Sequence, residues 1–386
     1  MSLPGRIAGT AAAAEVWGRP WRQGWREAEV LVLLAGTDTA AVPGISAAGA
    51  TPASRRRTAA ADAELLLLGP AGERPHALPP LPAGVSPALI SHVVLRELGL
   101  VPLVVDLGCP VAPAVPHLRL PGTAGAGPAR CLSGGAALDP GRLEALLALG
   151  RRWGERLAPG RPLLLAECVP GGTSTALAVL TGLGVAADGL VSGSLRHPDH
   201  GRKAALVAQG LGAAGLAVAG AGDRADAVLV AAAVGDPMQP LAAALVLAAA
   251  AAGRSVLLAG GSQMAAVLAL ALALAPPSLR PAVAAAAAVG TTAWVAQEAG
   301  SDLALLLQRI GARWGVEPLA FAADLRFPEP CHPALAAYEN GYVKEGVGAG
   351  GLALLWQLSG RPAPALARLC DQACATLLGP PPPTVR

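Results

Sequence analysis

Short apolar runs alternate along the chain with Gly-rich turns and with longer stretches rich in Ala and Leu. A short apolar run that ends at a turn is typical of a buried strand, whereas the longer stretches have the length of helices. The predicted strands are residues 30–34, 65–68, 102–105, 163–165, 227–231, 255–258 and 282–287. The predicted helices include residues 87–97, 140–156, 175–183, 241–252 and 264–274.

This order of strand, turn and helix predicts an α/β fold with a doubly wound, mainly parallel sheet flanked by helices, Rossmann-like in its layers. We expect a small helical subdomain built from the chain ends. The predicted boundaries are 1–28 for its N-terminal segment, 29–360 for the α/β domain, 361–378 for a C-terminal amphipathic helix and 379–386 for a disordered Pro-rich tail. Because ligands bind such folds at the carboxyl ends of strands, residues just after strands are the candidates for function.

The composition excludes several classes of protein. Hydrophobic residues make up 53% of the 386 and charged residues 14%, which predicts a large core rather than disorder. A net charge of +3, without a basic stripe of interleaved aromatics, gives no support to nucleic-acid binding. The six cysteines form no CxxC pair and no apolar leader is visible, so we expect free thiols, no metal site and a cytoplasmic protein.

A mean hydropathy of +0.50 raises a membrane protein as an alternative, with residues 256–276 as the candidate span. The turn from Gly260 to Gln263 interrupts that span, and neither a Lys/Arg asymmetry of the loops nor an aromatic belt accompanies it. Fully buried parallel strands have equally continuous apolar runs. We therefore expect no membrane association.

The turn after the strand at 163–165 has the chemistry of an anion site. Glu167 opens it, and the residues that follow lead into a predicted helix: Gly171, Gly172, Thr173, Ser174 and Thr175. Glycine N–H groups, hydroxyls and the positive end of a helix all favour a phosphate. No Lys follows the glycines, so this is not a Walker A loop, and ordinary helix capping is the alternative.

Other polar residues after strands admit two interpretations each. Lys203, one of two lysines in the chain, is either a phosphate contact or a solvated helix residue. Asp38 either meets a ligand or caps a turn. His197 and His200 lack a nearby third ligand, which favours a surface loop over a metal site. Glu345 lies beside four glycines, where a flat ligand could approach it closely or where the chain could form a hinge.

Taken in order, these turns resemble those of a known family. The segments are LAGTDTAAVPGISAAGATP, PAGVSPALIS, AECVPGGTSTALAVLTG, AAVGDPMQP, LLAGGSQM and ENGYVKEGVGAGG. They are similar to segments of nicotinate mononucleotide:dimethylbenzimidazole phosphoribosyltransferases, in particular of their divergent cyanobacterial and archaeal branch. Each segment alone is weak, but the ordered set, from about residue 30 to 355, is specific. The resemblance implies this family's fold, no cofactor and a homodimer.

The resemblance also implies roles for individual residues. Glu345 corresponds to the general base of the family's C-terminal motif, and Glu167 leads the nucleotide loop. The implied nucleotide and phosphate contacts are Gly171, Gly172, Thr173, Ser174, Thr175, Lys203, Gly346 and Gly348, and the implied base pocket contains Asp38, Ser46 and Glu298. Gly172 replaces an asparagine of the bacterial enzymes. Residues 327–343 look like an insertion beside the base pocket.

The implied reaction is a substitution at the anomeric carbon of nicotinate mononucleotide. The acceptor is a cobamide lower-ligand base, dimethylbenzimidazole or adenine, whose ring nitrogen displaces nicotinate with inversion from β to α. Glu345 would take the proton from the base, and Glu167 would stabilise positive charge on the ribose. The alternatives are a non-catalytic nucleotide-binding module and a different nucleotide-handling α/β enzyme. A dinucleotide enzyme would need a GxGxxG turn after the first strand, which residues 36–38 do not supply.

Overall fold

The computed structural model describes residues 4–120, 126–157, 160–216 and 224–380. The strands in these ranges are β1 (Arg6–Ala8), β2 (Glu29–Leu34), β3 (Leu103–Asp106), β4 (Leu118–Arg119), β5 (Leu163–Cys168), β6 (Val256–Ala259), β7 (Ala287–Thr292) and β8 (Leu319–Ala323). The first helices are α1 (Ala11–Gly24), α2 (Pro52–Arg55), α3 (Thr58–Leu68), α4 (Ala88–Leu98), α5 (Pro140–Arg156), α6 (Gly172–Gly182), α7 (His200–Ala213) and α8 (Arg224–Val234). The later helices are α9 (Met238–Ala251), α10 (Ser262–Leu274), α11 (Arg280–Ala286), α12 (Ala293–Ala296), α13 (Leu303–Trp314), α14 (Pro333–Glu339), α15 (Ala349–Leu358) and α16 (Ala363–Leu378).

The strands form one sheet in the order β1-β8-β7-β6-β5-β2-β3-β4, and every pairing is parallel except that of β1 with β8. The connections run outward in one direction from β2 and in the other from β5. The point between β2 and β5 is therefore the topological switch point, where a crevice opens at the carboxyl ends of the strands. The predicted fold class, a doubly wound and mainly parallel α/β sheet, is confirmed.

Each face of the sheet has its own hydrophobic core. Along β2, Leu31 and Leu33 belong to one core, and Val30, Val32 and Leu34 belong to the other. The first core is covered by α5, α6 and the helices from α8 to α10, and the second by α3, α4, α15 and α16. Because both faces are covered, the central strands have no polar side, which explains their continuous apolar sequences.

Three of the predicted strands were wrong in whole or in part. Residues 65–68 lie within α3, and residues 227–231 lie within α8. Residues 282–287 lie mostly in α11, and β7 begins only at Ala287. Periodicity cannot separate a buried helix from a buried strand, and alanine favours a helix strongly enough to decide such cases. The predicted helices were confirmed as α4, α5, α6, α9 and α10. Strands β1, β4 and β8 were not predicted.

Both chain ends pack against the second core. Trp17 Nε1 on α1 donates to the carbonyls of Val256, at 3.2 Å, and Ala286, at 3.1 Å, which ties the helix to the amino ends of β6 and β7. Trp21 Nε1 donates to Ser255 Oγ at 2.7 Å. The predicted C-terminal amphipathic helix is α16, which packs on α4 and α15. The domain boundaries themselves stay a prediction, and most of the predicted disordered tail, residues 381–386, lies outside the described residues.

The candidate membrane span is divided between a strand and a helix. Residues 256–259 form β6 in the middle of the sheet, and α10 begins at Ser262 and is buried at every position except Gln263. Among the helices of the described residues, none has both the length and the apolar character that crossing a membrane requires. The high mean hydropathy therefore reflects two cores made largely of Ala, Leu and Val.

Candidate active site

A cleft of about 330 Å³ opens at the carboxyl edge of the sheet, beside the switch point. One side is formed by the loop between β5 and α6, the start of α10 and residues 192–194. The other side is formed by the Pro-rich segment 78–87, α3 and residues 342–347. The sequence-predicted residues that line it are Ser46, Glu167, Gly171, Gly172, Thr173, Glu345 and Gly346.

Glu167 lies near the end of β5 and is almost completely buried. Its Oε2 accepts hydrogen bonds from Gln263 Nε2 at 2.9 Å and from the backbone N–H of Val169 at 3.3 Å. Burial raises the pKa of Glu167 well above its ordinary value, and the charge of Glu345 raises it further. The negative charge of Glu345 therefore disfavours ionisation of Glu167.

Glu345 is held by four donors. Its Oε2 accepts from Thr291 Oγ1 at 2.8 Å and from the Thr292 N–H at 3.0 Å. Its Oε1 accepts from the N–H groups of Gly346 at 3.1 Å and Gly350 at 3.0 Å. These bonds favour the ionised form, but burial is the larger effect and the pKa of Glu345 is raised. Glu345 is thus a rigidly placed carboxyl rather than part of a flexible hinge.

The backbone around Glu345 is strained. Val343, Lys344 and Val347 have φ values of 65°, 62° and 52°, in the left-handed region that non-glycine residues rarely adopt. Such strain persists only where the surroundings enforce it, and it concentrates at ligand sites. One enforcing contact is the buried ion pair of Lys344 Nζ with Glu298, together with a 3.0 Å hydrogen bond from Lys344 Nζ to the Leu195 carbonyl.

The glycine-rich loop is divided between the cleft and the core. Gly171, Gly172 and Thr173 line the cleft, whereas Ser174 and Thr175 are completely buried. Thr175 Oγ1 donates to Asp236 at 2.6 Å, so its hydroxyl faces away from the cleft. A Cβ on Gly172 would lie 1.8 Å from Gln263 Oε1, so a side chain at this position would require the carboxamide of Gln263 to move. The carboxamide of Gln263 fills the space that a side chain at position 172 would need.

Two helix N-termini and a serine loop converge on one end of the cleft. Helix α6 begins at Gly172 without a side-chain cap, and α10 begins at Ser262 without one. Ser262 Oγ accepts from the Ser192 N–H at 2.9 Å, which holds residues 192–194 against the start of α10. Uncapped N–H groups at two helix starts, with hydroxyls around them, form a cradle for an anion.

Lys203 is buried behind this cradle, which excludes its interpretation as a solvated helix residue. Only 1% of it is exposed, and its Nζ donates to Thr173 Oγ1 at 3.1 Å and to the Ser192 carbonyl at 3.4 Å. Burial lowers the pKa of Lys203 to about 8, and the nearby Lys344 adds to the effect. A buried ammonium that touches the cradle through Thr173 favours an anion in it.

Two residues that the resemblance assigned to the base pocket do not line the cleft. Asp38 lies outside it, half exposed, and pairs with Arg56 at 3.2 Å. Glu298 does not line the cleft but pairs with the ammonium of Lys344, and its charge also raises the pKa of Lys203 against the effect of burial. A residue just after a strand can lie inside or outside the cleft, because its position in the chain does not fix the direction in which the turn runs.

Two further predicted residues lie at the margin. Gly348 packs on the sheet, where a Cβ would lie 2.5 Å from Ala166 Cβ, so it supports the cleft from below. Ser46 lines the cleft, and its hydroxyl accepts from the Ala48 N–H at 3.2 Å. Of the predicted base pocket, Ser46 is therefore the residue that the structure places at the cleft.

Two functional candidates were missed in the sequence. Gln263 lies in a turn of generic sequence, and only the fold shows that its carboxamide reaches Glu167. Asp62 lies within an Ala- and Leu-rich run, where a lone acid is the one available signal. It lines the cleft with Ser86, whose hydroxyl donates to Asp62 Oδ1 at 2.6 Å. Tyr342 and Val343, from the end of the predicted insertion, also line the cleft.

The described residues contain no cluster of three or more His, Cys, Asp or Glu side chains arranged to hold a metal ion. The three carboxyl groups of the cleft are Asp62, Glu167 and Glu345, and no Lys, Arg or His is among its described lining residues. The cleft therefore combines three buried acids with an anion cradle, and Gln263 joins Glu167 to the start of α10 in that cradle.

Comparison with known proteins places the chain in a family. A UPF0284 protein of Prochlorococcus marinus (strain MIT 9313) is 52% identical over 374 residues, which cover 95% of this chain and 91% of the relative. A UPF0284 protein of Parasynechococcus marenigrum (strain WH8102) is 53% identical over 364 residues, 93% of this chain and 90% of the relative. No protein-family model matches the chain.

Among solved structures, CobT from Thermus thermophilus superposes with a TM-score of 0.54 and 19% identity, over 93% of this chain and 95% of that one. A nicotinate-nucleotide-dimethylbenzimidazole phosphoribosyltransferase from the same organism superposes with a TM-score of 0.53 and 18% identity, over 95% and 94%. At such low identity the likeness shows the fold, and it confirms the resemblance seen in the sequence at that level. The identity and coverage of the cyanobacterial relatives show that the chain belongs to the UPF0284 protein family, on the fold of these two structures.

Proposed function

We propose that this chain is a phosphoribosyltransferase that moves ribose phosphate from nicotinate mononucleotide to a cobamide lower-ligand base. The observation that carries the proposal is that the cleft combines buried carboxyl groups with an anion cradle and has no Lys, Arg or His among its described lining residues. A pyridinium nucleotide has the complementary pattern, since its ring nitrogen is cationic and its phosphate is anionic. The fold likeness to phosphoribosyltransferases adds support at the level of architecture.

The phosphate would lie on the N-termini of α6 and α10, against Gly171, Gly172 and Thr173. Lys203, whose Nζ lies 3.1 Å from Thr173 Oγ1, would then act as a charge-assisted partner of the phosphate. Binding of a dianion would offset the cost of burying this ammonium and would raise its pKa back toward the ordinary value.

The ribose and the pyridinium ring would lie over Glu167. Burial and the charge of Glu345 raise the pKa of Glu167, so a cationic ligand is what would allow both groups to be ionised together. The same negative charge stabilises the positive charge that develops on the ribose as the pyridinium bond breaks. Gln263 orients Glu167 by its 2.9 Å hydrogen bond.

The reaction forms a bond from a ring nitrogen of the acceptor to the anomeric carbon, while the bond from that carbon to the nicotinate nitrogen breaks. The bonding electrons leave with nicotinate, which becomes a neutral pyridine ring. An azole acceptor then has a surplus proton on its second ring nitrogen, and Glu345 takes it. A raised pKa suits this role, because a general base works best when its pKa is near the working pH.

The test is to incubate the full chain with nicotinate mononucleotide and either dimethylbenzimidazole or adenine, and to follow nicotinate by chromatography. Base-dependent release of nicotinate, with an α-riboside phosphate as co-product, is the expected result. Nucleotide binding without release in either reaction would support a non-catalytic nucleotide-binding module instead. Release that needs no base would indicate a nucleotide hydrolase. A homodimer and a cytoplasmic location remain predictions from the family resemblance.

A further inference from the structure

Asp62 is a buried carboxyl in the wall of the cleft to which the proposed reaction gives no role. It projects from α3 and is 6% exposed. Burial raises its pKa to about 6, so at neutral pH the ionised form still predominates. An acid of this kind is costly to keep in an apolar wall unless a ligand or a partner uses it.

The hydrogen bonds of Asp62 leave one of its oxygens open. Oδ1 accepts the short 2.6 Å bond from Ser86 Oγ. Oδ2 has only the thiol of Cys168, a weak donor at 3.7 Å. Within the described ranges no Lys, Arg or His forms an ion pair with Asp62. An ionised carboxylate can accept about four hydrogen bonds, so Oδ2 has capacity for a donor from a ligand.

The wall around Asp62 is otherwise suited to a flat ring. It is lined by Leu78, Pro79, Pro80, Pro82, Val85 and Val343. A slot with apolar sides and one fixed polar group binds an aromatic ring and orients it through that group. The polar group available here accepts hydrogen bonds and repels an anionic edge, so it disfavours a ring whose carboxylate faces Asp62.

Two adjacent residues, Ser86 and Pro87, connect the surroundings of Asp62 with those of Glu345. Ser86 binds Asp62, and the neighbouring Pro87 packs on Gly346, where a Cβ would lie 3.3 Å from Pro87 Cγ. A planar base whose N–H faces Glu345 would therefore direct another edge toward Asp62.

We propose that Asp62 selects acceptor bases that carry an N–H or O–H donor on the edge remote from the attacking nitrogen, over bases whose edge is only hydrocarbon. This inference rests on the proposed function for its acceptor site. A hydrocarbon edge would leave Oδ2 buried and without a donor, which is the arrangement that sites built around a hydrogen bond discriminate against most strongly. The unmet hydrogen bond corresponds to about a ten- to hundredfold difference in affinity.

The test compares 5-aminobenzimidazole with 5-methylbenzimidazole, which have nearly the same shape and differ in the donor. Calorimetry on the full chain should give at least about tenfold tighter binding of the amino compound. In Asp62→Ala the preference should disappear, and in Asp62→Asn, which retains an acceptor for Ser86 and protects the fold, it should shrink. Glu64→Gln is the matched control and should keep the preference for the amino compound. Glu64 is a buried acid on the same helix, but it pairs with His76 and does not line the cleft.

Equal binding of the two compounds by the wild-type chain, or a preference that survives in Asp62→Ala, would overturn the inference. Measurement of nicotinate release separates it from the proposed function. An Asp62-dependent preference in binding without any release would remove the transferase and leave the selectivity. Release of nicotinate with a base preference that does not depend on Asp62 would support the transferase and remove the role of Asp62 in selectivity.

Discussion

Gln263 Nε2 donates a 2.9 Å hydrogen bond to Oε2 of Glu167, although 96 positions separate the two residues in the chain. The bond joins the first turn of α10 to the end of β5, and it lowers the pKa of Glu167 against the effect of burial. The carboxamide also fills the space beside Gly172. One side chain therefore orients an acid, favours its ionised form and fills the space beside Gly172.

Replacing Gln263 with Met should lower kcat for nicotinate release by about tenfold or more, since a hydrogen bond to a charged group contributes about 1.5–3 kcal/mol. Without the donor, the pKa of Glu167 rises further and less of it is ionised. Steady-state kinetics at neutral pH measure the effect. Gln357→Met is the control, because Gln357 donates a similar 2.9 Å bond to Asp324 at the surface. Equal rates in both variants would show that Glu167 needs no orientation.

Replacing Glu345 with Gln should lower kcat by about two to four orders of magnitude, the usual contribution of a general base. The structure adds a cost in stability, because a carboxamide would place an NH₂ group among donors such as Thr291 and Gly350. The free energy of unfolding should fall by about 1–3 kcal/mol. Urea denaturation and single-turnover kinetics measure the two effects.

Thr291→Val separates these two effects of the Glu345 substitution. It removes one of the four donors and leaves the carboxylate, so it should lower stability while retaining most of the turnover. A Glu345→Gln variant that turns over as fast as Thr291→Val would remove the general base from the mechanism.

Lys203 should make both binding and stability depend on pH above neutrality. Its pKa is lowered from 10.5 to about 8 by burial, so between these values the unfolded chain binds the proton and the folded chain does not. Its contribution to stability is therefore fully present above pH 10.5 and is lost as the pH falls through about 8. The free energy of unfolding of the wild type, relative to Lys203→Met, should increase from pH 7 to pH 10.

The affinity for nicotinate mononucleotide should change in the opposite direction. The phosphate needs the ammonium form, so KM should increase as the pH rises above about 8 in the wild type and stay level in Lys203→Met. Denaturation curves at several pH values measure the effect on stability, and pH profiles of KM measure the effect on binding. Parallel pH profiles of the two proteins would show that Lys203 does not face the bound phosphate.

Gly350→Ala should damage both the fold and the position of Glu345. A Cβ there would lie 2.1 Å from the carbonyl carbon of Thr291 and 2.4 Å from Glu345 Oε2, and the backbone of β7 cannot move away easily. Overpacking of this kind costs about 1–3 kcal/mol. Gly212→Ala on α7 is the control, because its Cβ would meet nothing within 4 Å and alanine stabilises a helix by about 1 kcal/mol. The midpoint of thermal denaturation should fall in Gly350→Ala and rise in Gly212→Ala.

The sequence by itself determined the layered α/β architecture and most of the turns that form the cleft. Buried parallel strands need continuous apolar runs, and a chain that passes from such a strand to a helix needs glycine and polar residues between them. These local requirements are written in the sequence, so Glu167, Thr173 and Glu345 could be found before the fold was known. The same local requirements explain the wrongly predicted strands, because Ala- and Leu-rich runs such as residues 227–231 are compatible with either a buried helix or a buried strand.

The tertiary structure alone decided which polar residues meet. Asp38 follows β2 as regularly as Glu167 ends β5, yet it pairs with Arg56 outside the cleft. Lys203 is buried against Thr173. Asp62 reaches the cleft from a helix that carried no motif, and Gln263 reaches it from the segment LLAGGSQM, which gave this residue no role. The physical reason is that a hydrogen bond or a pKa shift depends on separations of a few ångströms. The packing of α3, α7 and α10 against the sheet sets those separations, and positions in the chain do not encode them.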